Sequence, residues 1–588
     1  VRSSAASDVY KRQIILGAFV ASMCLNSCYD LDRYPADQIS DGIFWQTETH
    51  AKQGMMGVYA ALREDNAFGM RFAYDCMSDI GVGYDAQGFG PVILGTYSDR
   101  HALVEDKWKS LYDGVMRANL VLQKVPGIES MSEELKTQYL AEARFLRALY
   151  YFELYNFYGA LPLYDESVNL STDYNDLKKP RSSEEQVVQF ILADLDAAVN
   201  SNLPVKRIQD DYGRVTLGAA YALRGKVYLY TKEYAKAAKD FEEIILDPSG
   251  KGYNYSLYAD YAKLFTPEGD QSDEMIFAIQ NSGGVGKDYG MPMTFYMGSR
   301  ATYGSCWNVV LPSATLVGMY EYKDGKPFDW EEVIPGFSST DVKDKTFVSV
   351  LAEGGKTVAS YPEYKDKLLE MYSKRDPRMS ETIIMPYTTY PGWVNNQPKT
   401  CEFIIARNIA PNETNGFIRL SPARTESYIF RKFVPEGNMN GEINNREHTP
   451  INFPILRLAD VYLMYAECKN ELNDQATAVE YINKVRQRPS TNMPVINSGP
   501  AWLKASSKEE VLTRIKHERA VELIAEGHRW FDLRRWGIAL EVLPGDVYGI
   551  TGRRLVTRVF TEKDLLWPVP GVEIERNPDL KPNNPGWN

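Results

Sequence analysis

Residues 142–163 read EARFLRALYYFELYNFYGALPL and carry a clear helical pattern. Apolar side chains recur there at intervals of three and four residues, which predicts an amphipathic α-helix: Tyr139, Ala143, Leu146, Tyr150, Leu154 and Phe157. We expect the helix to end at Tyr158-Gly159, because glycine commonly follows the last helical turn and Pro162 cannot continue it.

Two further helices are predicted after this stretch. Ser182 and Glu185 have the spacing of a capping box, followed by the helical pattern Val188, Ile191, Leu192 and Leu195. Ser507 and Glu510 have the same spacing and precede a second apolar pattern that runs through Leu512, Ile515, Ala520, Leu523 and Ile524. Both segments therefore favour helices that begin directly after a serine.

An internal repeat indicates how these helices are arranged. Residues 216–248 match the offsets of one tetratricopeptide unit, with Gly225, Tyr228, Tyr234, Ala237 and Phe241. The small residue would let two helices approach, and the aromatic rings would fill the groove between them. A weaker copy occupies residues 456–488, with Ala466, Ala478, Ile482 and Val485. The repeat predicts stacked helix pairs, a scaffold that usually binds and does not catalyse.

The middle of the chain has a different texture. Between about residues 265 and 450, glycine, proline, asparagine and tyrosine become frequent, and short apolar runs such as Met275–Gln280 and Phe403–Ala406 favour strands. The predicted fold class is therefore mostly α: a tetratricopeptide-like solenoid of about four helix pairs, with an irregular loop-rich lobe that carries short strands.

Composition excludes several classes of protein. The chain has 588 residues, 44% of them hydrophobic and 24% charged, which is typical of a globular protein. Its net charge of −12 argues against a nucleic-acid partner, which would favour a basic surface. No run approaches the roughly 20 apolar residues that a membrane-spanning helix needs.

The first residues resemble a leader and not part of the fold. Residues 1–13 look like translated adapter sequence, and residues 14–27 have the apolar run of a signal peptide. Leu25-Asn26-Ser27-Cys28 resembles a bacterial lipobox, so we expect lipid on Cys28 and a linker over residues 28–47. A plain secretory signal that is cut nearby is the alternative.

The catalytic and metal-binding motifs in the sequence are incomplete. His517-Glu518 begins an HExxH-like pattern, but Val521 stands where the second histidine would be needed to chelate zinc. In residues 283–288 a phosphate-loop pattern ends in Asp288 instead of serine or threonine. Cysteines Cys76, Cys306, Cys401 and Cys468 are far apart, which favours buried free thiols, although one or two disulfides stay open. The sequence predicts no cofactor and no metal. A catalytic pair of carboxylates, as in a glycosidase, is an alternative hypothesis, since sequence does not show which carboxylates lie together.

An ordered set of segments resembles the SusD/RagB family of outer-membrane nutrient-binding lipoproteins. The helix at residues 142–163 matches the family's signature helix. The other family-like segments, in order, are Trp108 with Tyr112, Arg117–Asn119, Arg375–Arg378, Phe430–Phe433, Pro454–Glu467, Glu518–Trp536, Trp567–Pro570, Asn577-Pro578 and Asn584–Gly586. The resemblance therefore extends over nearly the whole chain.

The resemblance implies an architecture, a location and a partner. It implies one domain over residues 48–588, with helix pairs mainly in 48–260 and 452–540 and a ligand-binding lobe mainly in 261–451. It further implies a lipid-anchored protein on the cell exterior that forms the lid of a SusC-like TonB-dependent transporter and binds oligosaccharides, or peptides in the RagB branch. Most signature residues are expected to be structural: Arg144, Arg147, Trp530, Asp532 and Trp536.

Ligand candidates come from two loop-rich segments. Glycine-flanked residues in loops are harder to bury than those on helices, which favours exposure. The first group is Arg71, Tyr74, Asp79, Tyr84, Phe89 and Tyr97, of which Asp79 matches a Ser-Asp step of the family; the second is Tyr296, Tyr303, Trp307 and Asn308. A glycan receptor is the favoured hypothesis, since exposed rings suit sugar faces. A peptide receptor and a surface glycan hydrolase are the alternatives.

Overall fold

The fold is mostly α-helical. The helices lie mainly in two parts of the chain, one before the lobe and one after it. The computed structural model describes residues 44–83, 89–168, 177–246, 250–282, 290–410, 417–418 and 426–587. The α-helices are α1 (Glu48–Ala61), α2 (Phe89–Ile93), α3 (Ala102–Lys124), α4 (Glu133–Tyr158), α5 (Glu184–Val199), α6 (Leu217–Tyr230), α7 (Tyr234–Ile245), α8 (Tyr261–Leu264), α9 (Met293–Met297), α10 (Ala314–Met319), α11 (Trp330–Val333), α12 (Thr340–Phe347), α13 (Lys365–Ser373), α14 (Pro377–Thr382), α15 (Leu458–Glu471), α16 (Gln475–Arg486), α17 (Lys508–Glu522), α18 (Arg529–Arg535), α19 (Ala539–Val542) and α20 (Gly571–Arg576).

In the described part of the chain the strands are short, and they form two-stranded sheets. They are β1 (Gly81–Gly83), β2 (Met275–Ile279), β3 (Val310–Pro312), β4 (Val350–Leu351), β5 (Val358–Ser360), β6 (Ile383–Ile384), β7 (Thr389–Val394), β8 (Gln397–Glu402), β9 (Ile429–Phe430), β10 (Phe453–Arg457), β11 (Gly545–Tyr548) and β12 (Arg554–Arg558). The antiparallel pairs are β1 with β3, β2 with β10, β4 with β5, β6 with β9, β7 with β8 and β11 with β12. The mostly α fold class with short strands is confirmed.

One predicted strand is wrong. Met275–Gln280 contains β2, as expected, but Phe403–Ala406 follows β8 and is not a strand. In that stretch only Ile405 forms a bridge, to Val348, because the β8 register with β7 ends at Glu402.

The termini of the long helices follow their local sequence. Ser132 accepts a hydrogen bond from Leu135 N–H at the start of α4, and Gly159 ends the helix with a φ of 71°. Ser507 and Glu510 form the predicted capping box of α17. For α5 the predicted box is wrong by one residue: Ser183 and Gln186 form it, because Ser182 pairs with the Leu161 backbone.

The helix pairs pack in series. Helix α3 packs on α4, α4 on α5, α5 on α6, α6 on α7, α7 on α15 and α15 on α16. In the α6–α7 pair, a Cβ on Gly225 would lie 2.6 Å from the Phe241 ring, so glycine permits the close approach. The predicted tetratricopeptide-like pairing at residues 216–248 is confirmed.

This contact yields a matched pair of stability predictions. Gly225→Ala forces the Phe241 ring to move, and we expect it to lower the free energy of unfolding by about 1–3 kcal/mol. Gly57→Ala adds a methyl group on α1 where nothing lies within 4 Å. Because alanine favours helix more than glycine, we expect that variant to gain up to about 1 kcal/mol. Urea unfolding measures both, and equal stabilities would contradict the packing argument.

A buried ion network joins the lobe to the helices. Glu522 of α17 contacts Arg378, Arg457 and Arg488 at 2.9 Å each. The network also includes Lys432, Arg486, Arg514, Glu274, Glu321, Asp376, Glu518 and Glu526. Burial alone would raise the pKa of Glu522, but Arg488, Arg457 and Arg378 lower it below its ordinary value. The network therefore fixes the lobe in place against α17.

Three other sequence expectations concern cysteines, metals and membranes. Cys76, Cys306, Cys401 and Cys468 are free and buried, as predicted. Within the described ranges, no helix is long and apolar enough to cross a bilayer. The same ranges hold no group of three or more potential metal-ligating side chains.

Candidate functional site

The first predicted ligand segment is mostly buried. Arg71 and Tyr74 are only 5% and 4% exposed, and both bond to Glu153 of α4, at 2.7 and 3.1 Å. Phe89 and Tyr97 are also buried, and the Tyr97 ring lies 4.7 Å from the Trp587 ring. The expected exposure of these four side chains is wrong, because all four are buried.

Glycine did not indicate exposed side chains here, because it serves close packing. A Cβ on Gly81 would lie 2.4 Å from the Asp75 carbonyl oxygen, and one on Gly527 would lie 2.5 Å from that of Arg71. Both glycines, Gly81 within the segment and Gly527 packed against it, therefore let backbone approach backbone. It does not lift the neighbouring rings into solvent.

Asp79 and Tyr84 complete the first segment. Both carboxylate oxygens of Asp79 accept hydrogen bonds from Arg529 of α18, each at 2.9 Å. This two-point ion pair fastens α18 to the segment. Tyr84 lies outside the described residues, as does Cys28, and both stay predictions.

The second predicted segment does present a ring to solvent. After α9 the chain folds back: Trp307 N–H donates to the Phe295 carbonyl at 2.9 Å, and Asn308 N–H donates to that of Gly298 at 2.8 Å. Positive φ angles at Gly304, Ser305 and Asn308 close this tight loop. As a result Trp307 is 41% exposed, the only tryptophan besides Trp502 that stands among the exposed large apolar side chains of the described chain.

Trp307 belongs to a group of aromatic side chains that we call the aromatic platform: Phe295, Tyr303, Trp307 and Trp393. The Trp307 ring lies 4.6 Å from Phe295, and Tyr303 lies 6.1 Å from Trp393 with 33° between the ring planes. Tyr303 and Trp393 are half-buried, whereas Phe295 is the buried base. The platform thus combines one exposed ring, Trp307, with the half-buried rings of Tyr303 and Trp393.

Trp393 was missed from sequence. It lies in the β7–β8 hairpin, and its N–H donates to the Ala301 carbonyl at 2.8 Å, which docks the hairpin onto the loop. The signal was present in Asn395-Asn396, since both residues have positive φ, as the tight turns of two-residue hairpins require.

Arg446 stabilises the platform from below. Its guanidinium lies 4.6 Å from the Phe295 ring centroid, and its Nη1 donates to the carbonyls of Gly304 and Ser305 at 2.7 and 2.8 Å. The arginine therefore both stacks on the buried ring and fixes the loop that carries Trp307.

The remaining two predicted residues line the underside. Tyr296 is half-buried and stacks on Phe72 at 6.5 Å. Asn308 is 0% exposed, so the prediction that it faces solvent is wrong, because the positive φ at this residue turns its side chain into the core.

The residues of the zinc-like motif have structural roles. Glu518 is buried and contacts Arg378 at 2.6 Å and Arg486 at 3.1 Å. His517 Nε2 lies 2.7 Å from the Met319 carbonyl oxygen. The predicted structural residues behave alike: Arg147 pairs with Asp194, and Asp532 pairs with Arg519.

Asp75, a buried residue of the first segment, predicts how the stability of the fold depends on pH. Burial raises its pKa to about 7, while Ala525 N–H donates to its Oδ2 at 2.7 Å. The folded state holds this proton at pH values where the unfolded chain, with its ordinary pKa of 3.8, has released it. The Asp75 contribution to stability is therefore complete below about pH 4 and is lost as the pH rises through about 7.

Asp75→Asn should remove this pH dependence, worth about 1.4 kcal/mol per pKa unit. We expect urea unfolding to show a smaller loss of stability between pH 5 and pH 8 in the variant than in the wild type. The control is Asp113→Asn, an exposed residue on α3. Equal losses in Asp75→Asn and the wild type would contradict a neutral buried Asp75.

Comparisons with known proteins agree with this architecture. The family model described as "SusD family" matches residues 273–587, and that described as "Starch-binding associating with outer membrane" matches residues 44–229. SusD-like protein P25 of Formosa agariphila is 26% identical over 593 aligned residues, which cover 97% of each chain.

Two solved structures share the fold. A SusD-like carbohydrate binding protein from Bacteroides fragilis has a TM-score of 0.72 at 24% identity and covers 92% of this chain and 100% of its own. Surface glycan-binding protein A from Bacteroides thetaiotaomicron, in complex with laminarihexaose, has a TM-score of 0.62 at 19% identity, with the same coverage. Since the first family model alone matches more than half of the residues, the chain belongs to the SusD family.

Proposed function

We propose that this protein is a non-catalytic, lipid-anchored glycan receptor of the cell surface, which captures oligosaccharides and delivers them to a SusC-like TonB-dependent transporter. The aromatic platform is the observation that carries the proposal. Trp307 is 41% exposed although it is held in a tightly bonded loop. Exposed aromatic surface beside other part-exposed rings commonly marks a ligand-binding site.

Sugar recognition explains the composition of the platform. Pyranose rings present flat C–H faces that pack on aromatic rings, and their hydroxyl groups bond to polar side chains at the margin. Trp307 and Trp393 offer such faces, while Tyr303 adds a hydroxyl group at the edge. The rings are fixed before binding, so little conformational entropy is lost when a sugar packs on them.

The related proteins support the same class of ligand. One family model carries the description "Starch-binding", and a structural relative was solved with laminarihexaose. A non-catalytic role is favoured because His517 and Glu518 serve the fold, and because the chain has no ordered catalytic motif.

Anchoring and delivery complete the proposal. Cys28, at the end of the lipobox-like segment, would carry the lipid, and the adjoining linker would let the domain reach a transporter in the same membrane. The helix-pair side would face that transporter, which leaves the platform on the lobe open to glycan.

Affinity electrophoresis tests the proposal. Residues 29–588 are run through gels that contain starch, laminarin, xylan, pectin or mucin glycans. We expect one polysaccharide to retard the protein relative to bovine serum albumin. Retardation by none of them would contradict polysaccharide binding and favour the peptide alternative, which titration with peptides would then test.

A further inference from the structure

An open cleft of about 590 Å³ lies at the junction of the lobe and the helices, and no part of it belongs to the aromatic platform. Its lining is dominated by amide and hydroxyl side chains, and we call it the amide cleft: Gln271, Gln280, Asn281, Ser282 and Asn452, with Arg63 at the side. Its volume falls in the range of small-molecule sites.

The amides in the cleft are fixed by one another. Asn452 Nδ2 donates to Gln280 Oε1 at 2.9 Å, and Asn452 Oδ1 accepts from Asn281 N–H at 2.8 Å. Gln280 Nε2 donates to the Ala278 carbonyl at 2.9 Å. Since each amide NH₂ has two N–H bonds, Asn452 and Gln280 each retain a second donor after these contacts with described residues.

Asn281 shows that the array lacks a partner. Its side chain is only 8% exposed, and Nδ2 donates to the Ile451 carbonyl at 2.7 Å, but Oδ1 has no partner among the described residues. An unpaired buried carbonyl oxygen costs about 1–3 kcal/mol. Oδ1 is closed off from solvent, so a bound molecule would remove that cost only by displacing the side chains that cover it.

The cleft and the platform share one segment of chain, residues 444–452. At one end the Asn444 carbonyl accepts from Tyr303 Oη at 3.5 Å, and Arg446 supports the Trp307 loop. At the other end Asn452 forms the wall of the cleft. Eight peptide steps span at most about 28 Å, so the two ends of this segment lie within the length of an extended oligosaccharide of several units.

We propose that the amide cleft is a second subsite, which binds the hydroxyl groups of uncharged sugar units in a glycan whose other end packs on the aromatic platform. Amides donate and accept, which suits hydroxyl groups that do both. The Glu268 carboxylate, which also lines the cleft, disfavours acidic sugars, whereas burial raises the pKa of Asp270 to about 7. The inference rests on the proposed function, because the platform must bind the same chain.

The test compares two lengths of one ligand. The probes are laminarihexaose and laminaribiose if laminarin retards the protein, maltohexaose and maltose if starch does, and the corresponding oligosaccharides of any other retarding polysaccharide. Calorimetry measures Kd for the wild type, for Gln271→Ala/Gln280→Ala in the cleft, and for the control Gln123→Ala/Gln189→Ala. The control glutamines are exposed on α3 and α5.

We expect the cleft variant to raise the Kd of the hexasaccharide about tenfold, because it loses one or two hydrogen bonds. The Kd of the disaccharide should rise less than about twofold. The control should match the wild type. Equal hexasaccharide Kd values in cleft variant and control would overturn the subsite while leaving the receptor function intact. Equal losses for both lengths would also overturn it, and a wild type that binds neither length would overturn the function and the subsite together.

Discussion

Replacing Glu522 with alanine is expected to lower the free energy of unfolding by about 3–5 kcal/mol. Glu522 is 0% exposed and contacts the three guanidinium groups of Arg378, Arg457 and Arg488. Without its carboxylate these cations remain buried with less compensation, and the cost of keeping them out of water is no longer offset. The loss should extend to the lobe, since Arg457 ends β10 and Arg378 lies in α14.

Urea unfolding of Glu522→Ala and of Glu480→Ala measures this effect. Glu480 forms an exposed ion pair with Lys484 on α16, and surface pairs of this kind contribute about 0–1 kcal/mol. If Glu522→Ala does not fold, Glu522→Gln keeps the shape and removes only the charge, and it should still fall well below Glu480→Ala in stability. Equal stability of the Glu522 and Glu480 variants would contradict the structural role of the network.

Replacing Trp307 with alanine is expected to weaken glycan binding about thirtyfold, or about 2 kcal/mol, as removal of a central aromatic anchor commonly does. The reason is that Trp307 supplies the most exposed ring of the platform, while its neighbour Phe295 is buried. Calorimetry with the hexasaccharide of the retarding polysaccharide gives the Kd.

Trp502→Ala is the matched control for this variant. Trp502 is 38% exposed, similar to Trp307, but it lies between α16 and α17, outside the platform, and its Nε1 donates to the Asp324 carbonyl oxygen. We expect wild-type affinity for that variant and unchanged unfolding for both. A Trp307→Ala variant with wild-type affinity, or an equal loss in Trp502→Ala, would place the ligand elsewhere.

The helical half of the fold could be predicted because its signals are local. The intervals from Tyr139 to Phe157, the cap at Ser507 and the Gly225–Phe241 contact all depend on residues within a few helical turns. The buried ion network could not be predicted, since it joins Glu274, Arg378 and Glu522, which are far apart in sequence. Nothing local distinguishes these charged residues from solvated ones.

The site was predicted only in part, for a related reason. Trp307 was identified as a loop ring, and it is exposed. Arg71, Tyr74, Phe89 and Tyr97 had the same glycine-rich context, but glycine there serves close packing, such as that of Gly81 on the Asp75 carbonyl. Trp393 joins the platform through a hairpin about 90 residues further on, a contact that no single segment reveals.

A crystal structure of the protein with the hexasaccharide of its retarding polysaccharide tests the central claim most directly. The account predicts a sugar ring packed against Trp307 or Trp393, with further units directed along residues 444–452. A hexasaccharide bound on the helix-pair side, for example beside Arg144 and Glu166, with the platform empty, would contradict it.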